Sequence, residues 1–266
     1  MAETGQQWTE ERVPVAGTEL VLVRGGAGRP LVVLHDELGH PGWLRWHSAL
    51  ACEHTLVIPL QPGSGKSPRL DWIMSVRDLA GFYSRVLREM GFVPVDVIGF
   101  SFGGWVAAEM AANNAQQFRR MVLVGPAGIR PPGTEIEDVF INRARDYLDA
   151  SVLNPSDTPE YANLYGGLQP TPEQFEAWED ARTEVARLAW APYLVNPSLP
   201  HLLEGVSGLP TLLIWGHQDR IVPVSAAEVY RKSIAGAELV VFDQCGHHPE
   251  IEKSSEFIRV VQQFIT

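Results

Sequence analysis

Ser101 sits in Gly99-Phe100-Ser101-Phe102-Gly103, a G-x-S-x-G pentapeptide. A strand-like run, Val95-Asp96-Val97-Ile98, precedes it, and a helical run from Trp105 to Ala112 follows. A serine on a sharp strand-to-helix turn lifts its hydroxyl above the sheet, at the positive end of the helix. The flanking glycines remove Cβ atoms that such a turn would drive into neighbouring backbone. The chemistry on offer is nucleophilic attack on a carbonyl, provided a base takes the hydroxyl proton. The bare pattern also describes an ordinary Gly/Ser turn, so its partners decide.

The base needs an acid to hold its tautomer and stabilise the imidazolium. Open α/β sheets place working residues just beyond the carboxyl ends of their strands. Beyond Thr211-Leu212-Leu213-Ile214-Trp215 comes Gly216-His217-Gln218-Asp219, which offers Asp219 as the acid. The loop Gly125-Pro126-Ala127-Gly128 carries no carboxylate, and Asp243 lies too near the histidine in sequence. After Glu238–Phe242 the chain reads Asp243-Gln244-Cys245-Gly246-His247-His248. His247 is the expected base, with His248 as its rival. The oxyanion hole needs two N–H donors. One is expected from Phe102 and the other from Glu37, in the loop His35-Asp36-Glu37-Leu38-Gly39.

The elements that must position these loops alternate in type. Glu11–Val15 and Glu19–Arg24 read as a hairpin around Ala16-Gly17. Leu31–Leu34, Thr55–Ile58, Val95–Ile98, Met121–Val124, Thr211–Trp215 and Glu238–Phe242 read as strands, the apolar runs among them as covered on both faces. Helices are predicted over Val76–Met90, Phe102–Asn113, Ser225–Ser233 and Ser254–Ile265. Ten prolines and glycines such as Gly133 break the pattern between 126 and 200, leaving helical segments at Ile136–Ala150 and Glu173–Ala191. The reading is a parallel α/β core in two parts, 1–125 and 201–266, with a mostly helical cap inserted at 126–200.

Composition narrows the function classes. The chain has 266 residues, is 45% hydrophobic and 20% charged, and carries a formal net charge of −11. That field repels nucleic acid and anionic membranes. No apolar run reaches bilayer length, and the polar start Met1–Gln7 lacks a signal-like segment, so the cytoplasm is expected. Two cysteines, Cys52 and Cys245, fit a reduced compartment. No zinc-type spacing is present, and no metal or other cofactor is expected. Gly65-Lys66-Ser67 imitates a phosphate loop, but its first glycine would fall at Leu60.

Together these residues resemble the α/β-hydrolase superfamily. The resemblance spans nearly the whole chain. It rests on Leu34-His35-Asp36-Glu37-Leu38-Gly39, Gln61-Pro62-Gly63-Ser64-Gly65-Lys66-Ser67, the elbow, and the acid and histidine loops in the order Ser, Asp, His. It implies an α/β-hydrolase fold: a mostly parallel eight-stranded sheet flanked by helices, with an inserted helical cap. Two departures stand out. Asp36 replaces the usual glycine after His35, and Leu60 replaces the usual aspartate before the Pro-Gly run. A carboxylate aimed at the hole would oppose catalysis, so Asp36 and Glu37 are both expected to point away.

The acid and histidine loops are similar to those of meta-cleavage-product hydrolases, which break carbon–carbon bonds. His248 stands where those enzymes carry an aromatic, and Phe100 where they carry Asn. Esterases, thioesterases and perhydrolases fit as well. An apolar cap with Tyr147, Tyr161, Tyr165, Trp178 and Trp190, and with Trp43 and Trp46 bordering the pocket, points to a small or medium hydrophobic substrate. Arg143, Arg145, Arg182 and Arg187 read as helix-surface residues rather than a carboxylate clamp. The expected function is a cofactor-free serine hydrolase acting on an ester, thioester or activated ketone. The alternatives are a lyase, cofactor-independent oxygenase or perhydrolase on the same residues, or a non-catalytic ligand-binding relative.

Overall fold

The computed structural model describes residues 8–166 and 171–266, the side chains of 165 and 166 excepted. The readings of Met1–Gln7, Tyr165 and Pro170 lie outside the described residues. Eight strands form one sheet: β1 (Trp8–Val15), β2 (Thr18–Gly25), β3 (Arg29–Leu34), β4 (His54–Pro59), β5 (Val95–Phe100), β6 (Phe118–Val124), β7 (Thr211–Gly216) and β8 (Glu238–Phe242). Their order is β1-β2-β4-β3-β5-β6-β7-β8. Only β2 runs against its neighbours, and the strands from β4 onward are parallel. All eight fall where the apolar runs place them. β5 and β7 are buried at every residue, as central parallel strands covered on both faces must be.

Nine helices are described: α1 (Arg45–Leu50), α2 (Val76–Glu89), α3 (Ser101–Asn113), α4 (Ala144–Ser151), α5 (Pro172–Leu188), α6 (Leu199–Leu203), α7 (Ser225–Ser233), α8 (Pro249–Glu252) and α9 (Ser254–Ile265). α2 starts at an N-cap, where Ser75 accepts the Asp78 N–H, and buries one apolar face. α3 is buried almost all round, so its sequence is apolar all round. The one fully buried charge of the sheet, Asp96 on β5, is held by the Arg119 guanidinium at 3.1 to 3.2 Å.

The helix predicted over Ile136–Ala150 is shorter: only Ala144–Ser151 is helical. Tertiary bonds and one local side-chain bond take the backbone groups a helix would use. The Glu137 N–H donates to Ile221 O at 2.8 Å, and the Phe140 N–H to Asp138 Oδ1 at 2.7 Å. The Arg182 guanidinium binds the carbonyls of Val139 and Asn142. Arg182 and Arg187 are therefore not surface residues: their side chains keep only 11% and 19% exposure and pair with Glu179 and Glu184. Helices α1, α6 and α8, of four to six residues, are too short to show a period. No helix among the described residues is long and apolar enough to cross a membrane.

Candidate active site

Four strand ends converge. β5 delivers Ser101 directly into α3, with φ of +44°. A non-glycine residue in this left-handed region is strained, and such strain persists only where the surroundings over-determine it. The two elbow glycines explain the crowding. A Cβ on Gly103 would lie 2.3 Å from Leu34 O, and one on Gly99 would lie 2.6 Å from Gly103 O. The elbow is pressed against the end of β3, which brings the His35–Gly39 loop to the serine.

β7 delivers Asp219. Its Oδ1 accepts the N–H groups of Ile221 and Val222 at 2.8 and 2.9 Å. Its Oδ2 meets His247 Nδ1 at 2.7 Å, with both side chains almost fully buried. The acid is thus fixed as an acceptor, and Nδ1–H donates to it. That leaves the Nε2 lone pair of His247 for a proton, and Nε2 makes no hydrogen bond of its own. Burial opposes an imidazolium here, but the Asp219 and Glu37 carboxylates outweigh it and raise the His247 pKa above 6.5.

The rival histidine is separated by its own partner. His248 Nδ1 meets Glu250 Oε1 at 2.8 Å, and neither residue touches Asp219 by a hydrogen bond. Burial disfavours its charge, yet Glu250, Asp36 and Glu252 hold it protonated, with the pKa raised to about 9.

Two supports escaped the sequence reading. Glu252, one turn beyond the histidines, accepts the N–H groups of Gly246, His248 and Leu153 at 2.9 to 3.2 Å. It binds the histidine loop to the chain just after α4, and the His247 N–H donates to Ser151 O at 2.7 Å. Gly125, in the loop after β6, is the second. A Cβ there would come within 3.0 Å of the His247 ring and 3.3 Å of Asp219 Oδ2. A Gly ahead of the Pro126 turn was the available signal.

The β3 loop corrects one expectation. Asp36 turns back on its own loop, where Oδ1 accepts the Leu38 N–H at 2.9 Å. Glu37 does not point away. Its Oε2 faces the Phe102 N–H at 3.5 Å, and its Oε1 accepts the Tyr147 hydroxyl of α4 at 2.5 Å. The Ser101 hydroxyl and the Glu37 backbone N–H also favour its charge. The side chain thus lies on both amides expected to form the oxyanion hole. Burial works against the charge, but His247, Tyr147 and Ser101 hold the carboxyl below its usual range. The physical reason is donor supply: the Phe102 and Glu37 N–H groups and the Tyr147 and Ser101 hydroxyls meet here, and a carboxylate accepts from them.

The aromatic readings divide. Tyr147 reaches the site through Glu37. Trp178 is buried and lines a groove of about 380 Å³ with Leu38, Gly39, Ser64 and Gln174. Trp190 is 67% exposed, and Trp46 is buried in the core against His47, Phe100 and Phe257 rather than bordering the serine. His35 ties two loops together: Nδ1 bonds Asp36 O at 2.9 Å, and Nε2 accepts the Gln61 N–H at 3.1 Å.

A sheet of this order, with a serine on a strained turn after β5 and an Asp–His pair beyond β7 and β8, defines an α/β hydrolase. Residues 20–260 match the model of the alpha/beta hydrolase family. The chain is 30% identical to a 2-hydroxymuconate semialdehyde hydrolase of Pseudomonas sp. strain CF600, over 94% of this chain and 91% of that one. In structure it is similar to a membrane phospholipase A described as a bacterial virulence factor, with TM-score 0.78, 24% identity and coverage of 97% and 86%. It is also similar to the 2-hydroxy-6-oxo-6-phenylhexa-2,4-dienoate hydrolase of Rhodococcus sp. strain RHA1, with TM-score 0.75, 21% identity and coverage of 97% and 98%. The chain belongs to the α/β hydrolase family and is an enzyme of that class.

Proposed function

We propose that this enzyme is a cofactor-free serine hydrolase of small or medium hydrophobic esters or thioesters, with Ser101 as nucleophile, His247 as general base and Asp219 as its orienting acid. The observation that carries the reading is the buried 2.7 Å Asp219–His247 pair, together with a serine held at φ +44° whose hydroxyl bonds Glu37, the carboxylate whose charge also acts on His247. In acylation, the Ser101 Oγ–carbonyl carbon bond forms while the hydroxyl proton passes to His247 Nε2. The Phe102 and Glu37 N–H groups receive the oxyanion once the Glu37 carboxylate has turned aside. Collapse breaks the bond to the leaving group, which takes the proton from His247. Water then attacks the acyl-enzyme with His247 as base and frees Ser101.

The segment 126–200 acts as a lid. Its Tyr147 and Ser151 contact the Glu37 and His247 loops, so substrate entry requires α4 to move. The substrate is a small molecule rather than nucleic acid or membrane, consistent with the acidic net charge of −11. A second reading, cleavage of a carbon–carbon bond beside an activated ketone, is favoured by the 30% identical relative.

The test is a fluorophosphonate probe together with p-nitrophenyl acetate turnover, each run against Ser101→Ala. Labelling and turnover that both vanish in the variant support the serine hydrolase. Labelling without ester turnover favours the carbon–carbon reading or a lyase. Wild-type protein that neither labels nor turns over any ester overturns both.

A further inference from the structure

We infer that Glu37 is a specificity-determining residue that sets the charge of the acyl group this site accepts: neutral groups enter, and acyl chains bearing a carboxylate are excluded. The inference rests on the serine hydrolase reading above and deepens it. Three geometric facts carry it. The Glu37 side chain is 5% exposed and lies against the Phe102 amide. It is tethered from the opposite side by Tyr147, itself 3% exposed. Among the described residues no guanidinium or ammonium group hydrogen-bonds or ion-pairs with it; its hydrogen bonds come from Tyr147, Phe102 and Ser101. Its neighbours are Ser101, His247 and Tyr147, with Asp36 and Asp219 adding further negative charge around the Tyr147 hydroxyl.

The consequences follow from electrostatics in a water-poor site. A neutral carbonyl needs only to displace the carboxylate from the Phe102 and Glu37 amides. The displaced group stays tethered by its short side chain within a few ångströms of the reacting carbon. A second carboxylate on the acyl chain would then meet a like charge with little screening, and the nearby His248 imidazolium is already paired with Glu250.

Two ethyl p-nitrophenyl alkylphosphonate diesters test it, one with a plain pentyl chain and so uncharged, and one with the chain ending in a carboxylate. In each, the Ser101 Oγ–P bond forms, the P–O(aryl) bond breaks, p-nitrophenolate leaves, and the serine proton passes to His247. Released p-nitrophenolate reads the rate. The wild type should react at least tenfold faster with the neutral probe. Glu37→Gln, which keeps size and shape, should shrink that preference at least tenfold. Glu37→Asp should retain it, and so should Tyr147→Phe, which loosens the tether but keeps the charge. A purely structural role for Glu37 would slow both probes equally and leave the ratio unchanged, which overturns the inference. Equal wild-type rates overturn it without any variant. A wild type that reacts with neither probe defeats the serine reading itself, and this inference with it.

Discussion

The frame and the inserted segment of this protein are held together in different ways. In the frame, the parts of the site hang from backbone: β5 ends in Ser101, β7 leads to Asp219 and β8 to His247, while Asp219 is fixed by two amide N–H groups. In the segment between β6 and β7, a few isolated backbone bonds such as Glu137 N–H to Ile221 O are supplemented by long polar side chains. Arg182 holds the Val139 and Asn142 carbonyls, Arg145 pairs with Asp149 at 2.9 Å, and Tyr147 reaches across to Glu37. Backbone ladders cannot rearrange without losing many bonds at once, whereas a few side-chain ties release one by one. The frame suits groups that must keep their geometry through a reaction. The segment suits one that must open and close.

That contrast breaks most easily at the nucleophile. Ser101→Ala should lower ester kcat/KM by a factor on the order of 10^4 or more while the melting temperature barely moves. Residual activity near the wild-type level would mean that the frame does not carry the chemistry. Asp219→Asn should come next, with kcat down on the order of 10^3-fold through the wrong His247 tautomer. Loss of folding cooperativity instead of kcat would show that the Ile221 and Val222 bonds matter more than the imidazole.

Insertion variants should behave otherwise. Arg182→Ala strips two carbonyls of their donor and should cost about 1–3 kcal/mol in stability. In turnover it should move KM several-fold more than kcat, measured by a substrate titration at fixed temperature. An equal fall in kcat and kcat/KM would erase the distinction between the two regions.

The smallest effects are those of pH. His247 must be neutral to act as base, and its pKa is raised above 6.5, so kcat/KM should climb with pH to an inflection above that value. His248 works with the opposite sign on stability. Its folded pKa of about 9 exceeds the unfolded 6.5, so its pairing with Glu250 stabilises fully below pH 6.5 and is lost as pH rises through 9. Thermal melts of the wild type should therefore drop more steeply between pH 7 and 9.5 than those of His248→Gln. Parallel curves would show that this buried pair contributes nothing.

Sequence alone determined the strands, because a covered parallel strand must be a short continuous apolar run, and it determined the elbow, because only glycine fits at 99 and 103. The order of the Ser101, Asp219 and His247 loops then followed from their place after strands. Tertiary structure alone decided where side chains turn and which segments stay helical. The 136–143 stretch has helical spacing but spends its backbone groups on Ile221, Asp138 and Arg182, which lie far away in sequence or compete locally. Glu37 reads as a charge to be kept from the serine, yet it turns inward because Tyr147, 110 residues later, supplies a hydroxyl there. Local pattern fixes what a residue's backbone does, whereas the direction of a buried charge is set by whichever donors the fold brings beside it.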